Sequence, residues 1–254
     1  MSLETELRQR LATKEILLMT HLVLGYPSFA VNRRVIAAMV ASGVDCIELQ
    51  IPFSEPMADG PVILKANQDS ITTGTKVAEC IAFAAEMTAQ YRIPFLFMTY
   101  YNIIFKYGEE RFFADCRQAG IKGLIVPDLT PEMGENFFAL AKSSEVAAVP
   151  IFAPTSTDQR MAELNRVAAG FIYCVARRGV TGKQSHFDSD FYDYLGRCRL
   201  ATSLPLAVGF GIRNREDIAA ITGKADMAVI GSETIRLFDQ EGVEAVAPFI
   251  AGLR

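Results

Sequence analysis

The sequence predicts an α/β fold in which eight parallel strands close into a (β/α)8, or TIM, barrel. The chain has 254 residues, and a barrel of this class needs about 250. Short apolar runs alternate with longer amphipathic segments along the whole chain, which is typical of strand–helix repeats. The apolar runs occupy residues 16–24, 44–51, 94–100, 123–127, 147–152, 170–175, 204–208 and 227–230. An open, doubly wound sheet is the rival fold, because periodicity alone does not distinguish the two.

Helices are predicted between these runs. Apolar residues fall on one helix face in segments 31–40, 112–116 and 218–221. Residues 75–91 form the longest helical pattern, and Pro61 is suited to the first position of another helix. A glycine lies between the end of a helix and the next strand at Gly43, Gly120 and Gly170. Glycine readily adopts the left-handed backbone conformation that ends a helix. The three glycines therefore support a repeated helix–strand unit.

Composition excludes several classes of function. The net charge is -4 and no Lys or Arg stripe is present, so neither a nucleic acid nor an anionic membrane is expected as a partner. No apolar stretch reaches the roughly 20 residues of a spanning helix, and the acidic N-terminus does not resemble a signal peptide. The cysteines are Cys46, Cys80, Cys116, Cys174 and Cys198. Their odd number and wide spacing predict reduced thiols in the cytoplasm rather than disulfides or a metal site. No linker divides the chain, so we expect one domain over residues 1–254.

Two carboxylates are candidate catalytic groups. Side chains alternate along a strand, so Glu48 is expected to point into the barrel, near the strand end where barrel active sites form. Asp59 ends a proline-rich loop that follows the same strand. Burial raises the pKa of a carboxyl group and suits it to proton transfer near neutral pH. The competing interpretations are an ion-paired structural acid for Glu48 and a helix N-cap for Asp59.

Residues 47–61 read Ile-Glu-Leu-Gln-Ile-Pro-Phe-Ser-Glu-Pro-Met-Ala-Asp-Gly-Pro. This segment resembles the signature of the tryptophan synthase alpha subunit family, in which a strand-end Glu precedes Pro-Phe-Ser-Asp-Pro and Ala-Asp-Gly-Pro. The resemblance extends along nearly the whole chain, through segments 24–27, 98–102, 123–129, 178–182, 209–212 and 230–232.

The resemblance implies a lyase that cleaves indole-3-glycerol phosphate to indole and glyceraldehyde 3-phosphate by a retro-aldol reaction. Glu48 would be the acid and base at the ring carbon and the side-chain hydroxyl, and Asp59 would stabilise positive charge on the indole nitrogen. The resemblance also implies a beta subunit as partner, in an alpha2beta2 complex. No metal or organic cofactor is needed for this half-reaction.

The remaining candidate residues fall into two groups. Tyr173, on the inner face of strand six, is a candidate hydrogen-bond donor to the substrate, and an ordinary core aromatic is the competing interpretation. The resemblance implies that Thr181 contacts Asp59 when the loop at 176–187 closes. The expected wall of the indole pocket is Tyr100, Phe210, Ile125 and Met98; each could equally be barrel core. The expected phosphate-binding residues include Gly211, Gly231 and Ser232, since the loops after strands seven and eight of a barrel often bind phosphate. The resemblance to the family adds Gly182, in the loop after strand six, to this group.

Four residues near the site differ from the usual family residues: Gln50 replaces Gly, Glu55 replaces Asp, His21 replaces an aromatic residue and Val23 replaces Thr. We expect Gln50 either to hydrogen-bond Glu48 or to fill space meant for substrate. His21 is given no catalytic role, because a lone histidine on an apolar face is usually a core residue. The alternative function is an alpha subunit that has lost most of its lytic activity and mainly activates the beta subunit. A third hypothesis is another phosphate-binding barrel, such as a sugar-phosphate isomerase.

Overall fold

The structure is a computed structural model that describes residues 1–57, 59–175, 188–209 and 211–254. Its strands are β1 (Leu17–Val23), β2 (Cys46–Gln50), β3 (Phe95–Met98), β4 (Gly123–Ile125), β5 (Ala147–Val149), β6 (Ile151–Phe152), β7 (Ile172–Val175), β8 (Leu206–Gly209) and β9 (Met227–Ile230). Its helices are α1 (Leu3–Leu11), α2 (Phe29–Ala41), α3 (Pro61–Thr72), α4 (Val77–Gln90), α5 (Tyr101–Tyr107), α6 (Glu109–Gln118), α7 (Glu135–Ser144), α8 (Asp158–Val167), α9 (Ser189–Ala201), α10 (Arg215–Ile221), α11 (Ser232–Glu241), a 3-10 turn (Val243–Ala245) and α12 (Val246–Gly252).

The strands form one parallel sheet in the order β5-β4-β3-β2-β1-β9-β8-β7-β6. Its two end strands, β5 and β6, are consecutive in the chain and are separated only by Pro150. The sheet therefore returns to its own starting point, which makes it a barrel and excludes the open sheet. Within the described residues, no helix is long and apolar enough to cross a membrane.

The predicted (β/α)8 barrel is thus confirmed, with one difference in detail. The run predicted at 147–152 is two short strands, because Pro150 has no N–H group to donate to a neighbouring strand. The other seven predicted runs each overlap one strand, and β8 ends one residue beyond its run, at Gly209. The helix expected to begin at Pro61 does so, with proline in its first turn. Gly43 and Gly120 directly follow helix caps and have φ of 84° and 75°, as expected for glycines that stop helices. Gly170 also has a positive φ, of 82°, but α8 already ends at Ala168 in an extended conformation, so the expectation that Gly170 stops that helix is wrong.

Two layers of buried side chains hold the barrel together. The outer layer lies between strands and helices and includes Ile47, Leu49 and Ile51 of the β2 segment. The inner layer fills the barrel and receives Leu3 and Leu7 from α1. Its strand and strand-end residues are Leu17, Met19, Cys46, Leu96, Met98, Tyr100, Ile125, Val149, Phe171, Ala207, Met227 and Val229. The alternation predicted for β2 is therefore present, with Cys46 inside and its neighbour Ile47 outside.

Candidate active site

Glu48 is buried at the centre of β2, with 3% of its surface exposed. Its side chain lies on the same inward face as Cys46, because residues two positions apart in a strand point to the same side. Burial of a carboxylate is unfavourable unless polar groups compensate for the lost water. The position of Glu48 therefore depends on a hydrogen-bond partner.

That partner is His21 on the neighbouring strand β1. His21 lies directly opposite Glu48 in the parallel register, and its Nδ1 is 2.8 Å from Glu48 Oε1. Burial lowers the pKa of His21, but the adjacent Glu48 carboxylate outweighs burial, so the pKa lies above the ordinary 6.5. The second carboxylate oxygen, Glu48 Oε2, is buried and has no hydrogen-bond partner among the described residues.

The loop after β2 carries Asp59 back over the mouth of the barrel. The Phe53 amide donates to Asn67 Oδ1 of α3 over 2.9 Å, and the Phe53 ring stacks on Tyr100 with centroids 4.8 Å apart. The Asp59 amide donates to the Pro56 carbonyl over 3.2 Å. These contacts anchor both ends of the loop, so the position of Asp59 is set by the loop rather than by a helix cap.

Asp59 is not the N-cap of α3, because Gly60 occupies that position. Its carboxylate instead accepts a hydrogen bond from Gln50 Nε2 over 2.7 Å, and the Tyr100 hydroxyl lies 3.4 Å from the same oxygen. Burial raises the pKa of Asp59 above its ordinary 3.8, while the bond from Gln50 opposes the rise. The expectation that Gln50 bonds Glu48 is therefore wrong: the loop places Asp59 within reach of the amide nitrogen instead.

Tyr173 reaches the same interior from β7, on the opposite side of the barrel. It packs against the inner layer, and its hydroxyl and ring lie against Gly209 of the adjacent strand β8, where a Cβ atom would approach within 2.3 Å of the ring. Burial raises the pKa of Tyr173 well above 10, and the charges of Glu48 and Asp59 raise it further. Tyr173 therefore keeps its proton and can act as a hydrogen-bond donor.

The apolar candidates surround these polar groups. Met98, Ile125 and Tyr100 all belong to the inner layer and are at most 5% exposed. Met98 is paired with Gln50 on one side and with Ile125 on the other. The fourth predicted wall residue, Phe210, lies outside the described residues, as do Thr181 and Gly182.

The predicted phosphate end lies where β8 and β9 finish side by side. Gly211 follows β8 with φ of 70°, a backbone conformation that favours glycine. Gly231 is the N-cap of α11, which begins at Ser232, and no side chain caps that helix end. The first amide groups of α11 are thus uncapped by any side chain and can bind an anion.

The geometry brings together Glu48, Asp59 and Tyr173 within one interior, and it adds His21 and Gln50, to which the sequence analysis gave no defined catalytic role. The available signal was the alternation on β1, which places His21 on the same inward face as Leu17 and Met19. In the described part of the chain, His, Cys, Asp and Glu side chains form no group of three or more that could hold a metal ion.

Comparison with known proteins agrees with this arrangement. The family model described as "Tryptophan synthase alpha chain" matches residues 7–248. A tryptophan synthase alpha chain from Desulfotalea psychrophila is 66% identical over 254 residues, with all of both chains covered. One from Syntrophotalea carbinolica is 54% identical over 252 residues, covering 99% of this chain and all of the relative.

Solved structures agree as well. Tryptophan synthase from Mycobacterium tuberculosis in its aminoacrylate-bound form superposes with a TM-score of 0.89 at 27% identity, with both chains fully covered. A tryptophan synthase complex from Pyrococcus furiosus gives a TM-score of 0.85 at 27% identity, covering 93% of this chain and 96% of that one. On the family match and the identities over the full length, this chain belongs to the tryptophan synthase alpha chain family.

Proposed function

We propose that this protein is a carbon–carbon lyase that cleaves indole-3-glycerol phosphate to indole and glyceraldehyde 3-phosphate. The observation that carries the proposal is the pair of carboxylates at the barrel mouth, Glu48 and Asp59, each held by its own partner. Two acids in separate environments can hold different protonation states, as a reaction with distinct acid and base steps requires.

Glu48 performs the proton transfers in this proposal. Protonated Glu48 donates to the ring carbon that bears the glycerol side chain, which makes that carbon tetrahedral and leaves positive charge on the ring nitrogen. The resulting carboxylate then takes the proton of the side-chain hydroxyl. The carbon–carbon bond then breaks, and the hydroxyl carbon becomes the aldehyde of glyceraldehyde 3-phosphate. The electron pair of the broken bond returns to the ring and restores neutral indole. Glu48 ends the cycle protonated, as it began.

Asp59 stabilises the charge that develops on the ring. An ionised carboxylate beside the indole N–H accepts a hydrogen bond that strengthens as positive charge accumulates on the nitrogen. The bond from Gln50 favours the ionised form of Asp59. Tyr173 keeps its hydroxyl proton and donates a hydrogen bond to the substrate.

The rest of the site binds and orients the substrate. The wall of Met98, Tyr100 and Ile125 contacts the indole ring, and by family resemblance Phe210 completes the wall. Gly211, after β8, and Gly231 and Ser232, at the start of α11, bind the phosphate through backbone amides. By the same resemblance, Gly182 adds to this phosphate site and Thr181 contacts Asp59.

We further propose a beta subunit as the partner, in an alpha2beta2 complex, and one domain over residues 1–254. The chain's relatives in Pyrococcus furiosus and Mycobacterium tuberculosis were solved as tryptophan synthase, which supports a partner of this kind. The five cysteines are buried and free, which supports a reducing compartment such as the cytoplasm.

The test is steady-state cleavage of indole-3-glycerol phosphate by the purified chain, with and without a cognate beta subunit. We expect slow cleavage alone and faster cleavage with the partner. Turnover of an unrelated sugar phosphate with indole-3-glycerol phosphate left intact would contradict the proposal and favour an isomerase.

The regulatory alternative is not favoured. Two substitutions motivated it, Gln50 and Glu55. Gln50 directs its amide to Asp59 and leaves Glu48 Oε2 without a partner among the described residues. The replacement of glycine by Gln50 therefore leaves Glu48 Oε2 available to the substrate. Activation of the beta reaction with no cleavage in either assay would reverse this preference.

A further inference from the structure

His21, the neighbour of Glu48, replaces the aromatic residue that is usual in the family and can therefore have a role that the family pattern does not predict. We infer that His21 is a positioning residue for the lyase reaction, which holds one carboxylate oxygen of Glu48 so that the other oxygen is directed to the substrate. This inference rests on the proposed function and deepens it, because it names how the acid and base group of this particular chain is oriented.

The contact follows from strand register. His21 and Glu48 are paired across β1 and β2, and both side chains point into the barrel. The side chains are 5% and 4% exposed, and Nδ1 lies 2.8 Å from Oε1. At this distance in a water-poor interior, the bond fixes both the ring and the carboxylate more firmly than a surface contact would.

Because of this bond, the two carboxylate oxygens of Glu48 have different surroundings. Glu48 Oε1 is occupied by His21, while Oε2 is buried and has no partner among the described residues. A buried carboxylate oxygen without a partner is costly, and a catalytic role is one of the reasons for which native proteins keep such a group. Oε2 is therefore the oxygen that exchanges protons with the substrate.

The proton balance is consistent with this division. When Glu48 carries the transferred proton on Oε2, its Oε1 can only accept, so the hydrogen lies on His21 Nδ1. The proton on Oε2 goes to the ring carbon, and the hydroxyl proton returns to Oε2 as the carbon–carbon bond breaks. His21 donates through Nδ1 throughout and exchanges no proton with the substrate, which makes it a positioning residue rather than a catalytic one.

A second property distinguishes His21 from the aromatic residue usual in the family. The charged groups that act on its pKa are Glu48 and Asp59. Burial lowers the pKa of His21, but in the free enzyme the ionised carboxylates of Glu48 and Asp59 raise it above 6.5. As the pH falls through this pKa, Nε2 gains a proton and places a positive charge beside Glu48. The titration of His21 is therefore expected as an inflection above pH 6.5 in the pH profile of kcat/KM, which reports the groups of the free enzyme.

The experiment compares two variants of the full chain with the beta subunit present. His21→Phe keeps an aromatic ring and removes the donor. His21→Asn keeps an amide donor that can replace Nδ1–H but does not titrate. We expect His21→Phe to lower kcat by up to about 100-fold, the effect of misplacing a reacting group by about 1 Å, with little change in KM. His21→Asn recovers most of kcat, and both variants lose the inflection above pH 6.5.

The control is Thr20→Val, a substitution of the adjacent buried residue, whose hydroxyl contacts Met39 on the helix side of β1. It should leave kcat and the pH profile unchanged. Wild-type kcat and an unchanged inflection in His21→Phe would overturn the inference. If His21→Phe does not fold, the pH profile of His21→Asn decides: a lost inflection supports the inference and a retained one overturns it.

The failure of this inference is separable from the failure of the proposed function. Glu48→Gln is measured in the same assay. If the wild type does not cleave indole-3-glycerol phosphate, the proposed function fails and the inference falls with it. If cleavage depends on Glu48 but His21→Phe behaves as wild type, the proposed function stands and only the role of His21 is wrong.

Discussion

Gln50 Nε2 donates a hydrogen bond of 2.7 Å to Asp59 Oδ2, and this bond ties the end of β2 to the loop that covers it. Both residues come from one segment of chain, nine positions apart, yet they meet only because the loop is anchored by Phe53 and turns back toward the barrel. The bond also acts on charge, because donation to a carboxylate stabilises its ionised form.

Removal of this bond should shift the pH dependence of cleavage. Burial already raises the pKa of Asp59 and Gln50 opposes the rise, so Gln50→Ala raises that pKa further. Asp59 then takes up its proton at a higher pH, and the acid-side midpoint of kcat/KM moves upward. The measurement is a pH profile of indole formation. Gln118→Ala, at an exposed position of α6, is the control; an unmoved midpoint in Gln50→Ala would remove Gln50 from the mechanism.

Gly209 controls the position of Tyr173. An alanine Cβ at residue 209 would lie 2.3 Å from the tyrosine ring and hydroxyl, so the ring must move. We expect Gly209→Ala to reduce kcat/KM by about 100-fold and the free energy of unfolding by about 1–3 kcal/mol.

Gly196 in α9 is the matched control for this substitution, because nothing lies within 4 Å of its added Cβ. Gly196→Ala should keep full activity and gain about 0.5–1 kcal/mol in the free energy of unfolding, since alanine is the better helix former. Equal activity in both alanine variants would show that the position of Tyr173 does not matter for cleavage.

The opposite end of the barrel carries a purely structural carboxylate. Asp45, just before β2, is fully buried; it accepts from the Leu18 amide over 3.0 Å and pairs with Lys14 and Arg254. Loss of one partner of a buried ion pair costs about 3–5 kcal/mol, and because these cations are about a third exposed, solvent screening reduces the expected loss for Asp45→Asn to about 2 kcal/mol.

Denaturant unfolding of Asp45→Asn measures this loss, with the exposed Glu110→Gln on α6 as the control. Catalytic activity should be unchanged at temperatures where the variant remains folded, because Asp45 lies at the strand start, away from the Glu48 end. A loss of activity in the folded variant would show that the two ends of β2 are coupled.

The sequence was sufficient for most of the fold, because alternation and helical spacing are local properties. It predicted that Glu48 points inward and that Pro61 starts a helix, and both are observed. The break at Pro150 was not predicted, since an apolar run does not reveal where pairing changes from one neighbour to another.

The contacts within the site were harder to predict from the sequence. The pairing of His21 with Glu48 depends on the register between β1 and β2, which is set by the closure of the whole barrel rather than by either strand. The bond from Gln50 to Asp59 depends on the path of a loop. Position along a strand predicts which way a side chain points, but not the partner that it meets there.

The most direct test of the central claim is cleavage of indole-3-glycerol phosphate by Glu48→Gln beside the wild type, both with the beta subunit. Glutamine preserves the shape of the side chain but cannot carry the transferred proton. We predict that kcat falls by about 100- to 10,000-fold, the usual contribution of a general acid and base, while competition by inorganic phosphate is unchanged. Near-normal turnover by Glu48→Gln would contradict the assignment of Glu48 as the acid and base.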